Sequence, residues 1–150
     1  NLDTPAAIRI PYEIESLTKM LECMQKGVEA LESTVNRNKN LEELLNLVRY
    51  MTCYVQTGLN AKKWYVLKVK MRSATKREEL SGIYDKMEEL LKAEMENAKK
   101  AIPYVETDSR LGWEPSMLYI GDAWHIDWKL RHSNYILEHE IGKFRKCLEL

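Results

Sequence analysis

The stretch from Tyr12 to Val35, YEIESLTKMLECMQKGVEALESTV, decides the fold. Its apolar residues Ile14, Leu17, Leu21, Met24, Val28, Leu31 and Val35 recur in alternating steps of three and four, which lines them up as one seam of an amphipathic helix in a bundle. No run with the period of two that a strand needs competes with it. Pro11 suits the first turn, where its missing N–H is no loss, so the first helix is predicted from Pro11 to Asn36.

Working outward, Asn38 to Asn40 form a short polar connection, and Asn40 with Glu43 has the spacing of a capping box that opens a second helix. Its expected inward seam is Leu41, Leu44, Val48, Met51, Val55, Leu59, Val66 and Val69. A second stripe, Leu47, Tyr50, Tyr54, Gly58, Ala61 and Tyr65, runs roughly 100° around, so this helix should touch two neighbours. Gly58 costs about 1 kcal/mol against Ala inside a helix, and a close helix approach is the expected reason for it. Thr75 and Glu78 repeat the capping-box spacing and open a third helix, with Leu80, Tyr84, Met87, Leu91, Ala98 and Ile102 on one side. Glu94 falls in that seam, where a carboxylate is expected at the rim or paired with a neighbouring helix. Pro103 should kink or restart the helix.

Asp108 to Gly121 does not read as long helix, yet Leu111, Trp113, Met117, Leu118, Tyr119 and Ile120 crowd into it. So apolar a connection must pack on something. Asp122 is the expected N-cap of a fourth helix running from Ala123 to Leu148. The fold class is therefore all-α: an antiparallel up-down-up-down four-helix bundle with a long apolar loop between helices three and four.

A chain of 150 residues holds one domain, and its 23 basic and 23 acidic side chains cancel. Neutrality removes the bulk argument for nucleic acid or an anionic membrane as partner. No apolar run reaches the roughly 18 residues of a spanning helix, and Asn1 to Ile10 lacks the apolar core of a signal peptide. The three cysteines, Cys23, Cys53 and Cys147, are far apart and odd in number, which reads as free thiols in a reducing, cytoplasmic compartment. The first residue is Asn1, and a piece of a longer polypeptide is expected.

The fourth helix carries the most information. Ile126, Leu130, Leu137, Ile141, Phe144 and Leu148 form its aliphatic seam, while Trp124, Trp128 and Tyr135 make a second stripe on nearly the opposite side. A simple bundle helix needs one such face. Either the apolar loop folds back over the stripe, or the stripe meets another domain, another chain or a ligand. His125, His132 and His139 recur every seventh residue, about 10 Å apart along a helix, too far for one metal ion. No metal and no cofactor is expected, and no nucleotide-loop, serine-hydrolase or zincin pattern occurs.

Charge is uneven along the chain. Lys62, Lys63, Lys68, Lys70, Arg72, Lys76 and Arg77 lie at one end of the bundle, where they complement helix dipoles. At the other end Asp108, Arg110, Trp113, Glu114, Trp124, His125 and Trp128 mix charged groups with indoles, a combination that suits the C–H faces and hydroxyls of a carbohydrate. The same residues also read as a structural cluster in which Arg110 pairs with Asp108 or Glu114.

The segment Asp108-Ser-Arg-Leu-Gly-Trp-Glu-Pro-Ser-Met117, followed by Asp122 and by Trp128-Lys-Leu-Arg131, resembles the C-terminal helical region of large bacterial proteins that carry a glycoside-hydrolase-like barrel upstream. The likeness is specific only over the last third of the chain. It implies a non-catalytic accessory domain of a carbohydrate-active protein, with the catalytic acids elsewhere and the upstream catalytic domain of the same polypeptide as partner. No catalytic residue carries over. The alternative is a self-standing helical module that dimerises through the aromatic stripe of the fourth helix.

Overall fold

The computed structural model describes residues 5–114 and 119–149, apart from the side chains of a few of them, and it is an antiparallel four-helix bundle in up-down-up-down order. Helix α1 spans Pro5–Glu32, α2 Lys39–Ser73 and α3 Arg77–Thr107; the fourth rod begins as α4, Ala123–Tyr135, and passes through a π-helical turn, Ile136–Ile141, into α5, Gly142–Glu149. Cross-helix bonds fix the directions. Glu13 meets Lys62 while Glu32 meets Arg49, Cys53 meets Asn97 while Asn46 meets Tyr104, and Glu94 meets Lys129 while Glu88 meets Arg145. Each helix thus runs against the next.

Among the described residues the extensive helix contacts are sequential, α1 on α2, α2 on α3 and α3 on α4, so α2 and α3 form a central hairpin. Helix α2 does have two apolar faces. Val55 and Leu59 pack with Leu21 of α1, whereas Tyr50 and Cys53 pack with Ala98, Ala101 and Val105 of α3 and Ile126 of α4. A third cluster, Ile83, Tyr84, Met87 and Ile141, closes the opposite end of the bundle. Along α2 the seam is shifted from the expected one. Leu45 is the most enclosed side chain, while Leu44, Met51 and Val69 are exposed, because α1 and α3 approach α2 from two directions and no single stripe bisects them.

Helix boundaries differ from expectation in instructive ways. Pro11 is inside α1 rather than in its first turn, the helix continuing through the donor lost at the proline, and Ile10 just before it is buried. The helix stops at Glu32, leaving Val35 exposed. Asn38, not Asn40, caps α2: its side chain accepts from the Leu41 amide at 3.0 Å. Helix α3 starts after Lys76 with no side-chain cap, so Thr75 and Glu78 do not form the expected box. Pro103 is carried inside α3 to Thr107 without a restart. Asp122 caps α4 as expected, accepting from the His125 amide at 2.9 Å.

The connection from α3 to α4 includes a short hairpin, β1 (Trp113–Glu114) paired antiparallel with β2 (Tyr119–Ile120), its two-residue strands too short for any sequence period to reveal. Gly112, at φ +75°, turns the chain into it against the backbone of Gly121. Leu111 packs on the Tyr50–Ile126 cluster, while Met117 and Leu118 and the side chains of Trp113, Tyr119 and Ile120 lie outside the described residues. Among those residues no helix is long and apolar enough to cross a membrane.

The π-helical turn explains the last departure. Strict α-periodicity sets Phe144 on the seam and Arg145 about 100° off it. One extra residue in the turn rotates the rest of the rod by about that angle. Arg145 consequently faces α3, donating to Asp85 at 2.7 Å and Glu88 at 3.0 Å, and Phe144 is left 51% exposed with its ring stacked on Tyr84 at 5.8 Å.

Candidate functional site

Small residues on the α4-facing stripe of α2 and on α3 keep the three helices from closing completely. Between them lies a groove of about 550 Å³, walled by Tyr50, Cys53, Tyr54, Gly58, Ala61, Ala98, Ala101 and Ile126, with Thr57, Asn97 and Lys129 as polar members and His125 and Trp128 at its α4 side. Gly58 owes nothing to a close helix approach, contrary to expectation: a Cβ added there meets no atom within 4 Å. The space above it is the groove.

The polar members belong to a network centred on Glu94, which is 8% exposed. Its Oε1 accepts from the Thr57 hydroxyl at 2.7 Å and from the Lys129 ammonium, and its Oε2 accepts from Asn60 at 2.6 Å. Asn97 donates to the Cys53 carbonyl at 2.9 Å and to the Thr57 hydroxyl at 3.1 Å, and Gln56 donates to Asn60 at 2.8 Å. A carboxylate in an apolar seam is expensive unless paired and bonded, and here it is both. That fulfils the expectation of a partner on a neighbouring helix. Burial pushes the Cys53 thiol above its ordinary range, which keeps it protonated beside this network.

The site residues singled out from sequence separate into two places. Asp108 and Arg110 form a local clasp at the end of α3, with the guanidinium bonding both carboxylate oxygens at 2.8 and 2.7 Å and the Arg110 amide adding a third bond at 3.0 Å. Those bonds hold the Asp108 carboxyl well below its usual value, at about 2. The clasp borders a shallow depression with Glu42, Glu43 and Asn46, away from the groove. Trp113 and Glu114 are placed in β1, but their side chains lie outside the described residues.

Trp124, His125 and Trp128 stay together on α4. The imidazole of His125 meets the Asp122 carboxylate at 2.7 Å, and the bonds from His125 lower the Asp122 pKa. Trp124, Trp128 and Tyr135 are 62%, 55% and 48% exposed. Each pairs with a histidine of the same helix: Trp124 edge-on with His125 at 4.7 Å, Trp128 stacked on His132 at 5.4 Å, Tyr135 edge-on with His139 at 4.5 Å. The histidine row is thus shared out among aromatic rings.

Sequence reading missed the groove and its donors. Thr57, Asn60 and Asn97 are polar residues on otherwise apolar helix faces, a signal present in the chain but separable from ordinary surface positions only once Glu94 has been matched to Lys129. Against family models, curated proteins and solved structures alike, the chain has no match.

Proposed function

We propose that this chain is a non-catalytic accessory domain of a larger, carbohydrate-active polypeptide, and that the aromatic face of α4 is the surface it turns towards the rest of that protein. One observation carries the docking half of the reading: Trp124, Trp128 and Tyr135 form an exposed row on the side of the helix away from its buried seam. Large amphipathic rings held in place by neighbouring imidazoles are the kind of anchor that protein interfaces use at their centres. The carbohydrate half rests on the resemblance of the Asp108–Met117 segment and on the mixture of indoles and charges at this end of the bundle.

The test has two arms. Sedimentation of the chain alone should show a monomer at all concentrations, and the separately expressed upstream segment of its polypeptide should bind it with an affinity that Trp124→Ala with Trp128→Ala reduces at least tenfold, on the order of a hot-spot pair. Concentration-dependent dimerisation abolished by the same substitutions would replace this reading with the self-association module. An upstream segment with no sugar-processing activity would remove the carbohydrate half.

A further inference from the structure

The groove between α2, α3 and α4 has the make-up of a small-molecule site: mostly apolar walls, a few convergent polar groups, and a volume of about 550 Å³. Its donors and acceptors limit the occupant. Both oxygens of Glu94 are occupied, by Thr57 and Lys129 on one side and Asn60 on the other. The Lys129 ammonium has three hydrogens. One goes to Glu94 and a second to the Thr57 hydroxyl, whose oxygen is 3.5 Å from the nitrogen, and no further hydrogen bond of the ammonium is present among the described residues. The lysine side chain is 37% exposed and borders the groove, so its remaining hydrogen is offered to whatever enters.

Charge and size narrow the choice. Lys129 and Glu94 already neutralise each other. A second carboxylate on Lys129 would sit beside Glu94, and a cation on Glu94 would sit beside Lys129, so each meets like charge. One turn of a peptide helix fills roughly 420 Å³ at a diameter of 10 Å and a pitch of 5.4 Å. A volume of about 550 Å³ exceeds that single turn only slightly and lies in the range of small-molecule sites. Gly58 adds an independent observation. It forgoes about 1 kcal/mol of helix stability relative to Ala, and the room it leaves is open.

From these features we infer that the groove binds an uncharged molecule with an apolar, ring-sized body and one acceptor oxygen, which takes a hydrogen bond from Lys129 while the body lies over Gly58 against Ala98 and Ala101. The groove meets the exposed aromatic face only at Trp128, whose ring borders both; Trp124 and Tyr135 do not line it.

The test uses the full chain and three probes of matched shape: 2-acetylnaphthalene, 2-ethylnaphthalene and 2-naphthoate. Amide shifts of Ala98 and Ala101 report occupancy. Saturable binding of the ketone is expected, with 2-ethylnaphthalene at least about tenfold weaker for want of a bond to a charged donor and 2-naphthoate no tighter than the ketone. Gly58→Leu places a branched side chain in the groove from a position where a Cβ meets no atom within 4 Å; folded by circular dichroism, it should weaken ketone binding at least about tenfold. Lys129→Met should level the ketone and the hydrocarbon, and if that variant does not fold, the probe comparison and Gly58→Leu still decide. Absence of saturable ketone binding, equal affinity for ketone and hydrocarbon in the unmodified chain, tighter binding of 2-naphthoate, or unchanged binding in Gly58→Leu would each overturn the inference.

Discussion

Replacing Lys129 by Met removes the cation opposite Glu94 while keeping most of the stem, which lines the groove together with Ile126 and Trp128. Glu94 would retain Thr57 and Asn60 as donors but lose its only charge partner among the described residues. Breaking a fully buried pair costs about 3–5 kcal/mol, and an exposed pair is worth about 0–1 kcal/mol. Glu94 is buried and Lys129 is 37% exposed, so the cost should fall between, at about 2–3 kcal/mol. For a chain of this length that lowers Tm by about 5–10 °C. Urea and thermal melts followed by circular dichroism measure it. The decisive comparison adds Glu94→Gln, which leaves an uncharged side chain that can still accept from Thr57. The double variant should be more stable than Lys129→Met alone, a non-additivity expected only of residues that interact directly. If Lys129→Met lies within about 0.5 kcal/mol of the parent chain, or if the second substitution merely adds its own loss, the pair does not hold the α2–α3–α4 junction together.

Other consequences are equally open to measurement. Gly58→Ala should raise stability by about 1 kcal/mol, read from denaturant melts, because the methyl improves helix propensity in open space. Gly112→Ala should destabilise by about 1–3 kcal/mol in the same melts, since the residue has φ +75° and its new methyl would run into the Gly121 carbonyl. The Asp108 carboxyl, held at about 2 against an ordinary 3.8, makes its clasp at all pH values above that ordinary range and loses it as pH falls through about 2. A carboxyl NMR titration should show this, and Arg110→Ala should return the value towards 3.8. Cys53 is buried with its thiol pushed upward, whereas Cys23 and Cys147 are exposed, so iodoacetamide under native conditions should label the latter two and spare Cys53.

The bundle was legible because helix existence depends on periodicity summed over many residues. The steps from Ile14 to Leu31 and from Tyr84 to Ala98 survive a few misplaced positions. Caps depend on one residue each and are less secure: Asp122 was read correctly, but Asn38 and Asn40 offer equal chemistry, and it is Asn38 that caps α2. The wide arc on α2 correctly announced two neighbours, yet the ordering of its stripes is set by where α1 and α3 sit. Glu94 was visible as an anomaly and its partner was not, because Lys129 lies on the flank of α4 and resembles any solvated lysine in a list of residues. The clasp of Asp108 and Arg110 was legible, being local. The groove was not, since it consists of the space that the small side chains at Gly58, Ala98 and Ala101 fail to fill.

The π-helical turn between Tyr135 and Gly142 has a consequence for how the chain can change over time. It works as a phase joint: the half of the rod before it, with Ile126 and Lys129, is set by the groove, and the half after it, with Ile141 and Arg145, is set by the far end of α3. A single-residue deletion here would restore plain α geometry and turn the distal half by about 100°, carrying Arg145 away from Asp85 while the proximal half kept its bearings. Substitutions that reshape one end of the bundle are thereby insulated from the other, and length variation in the fourth rod has one place where it can be absorbed.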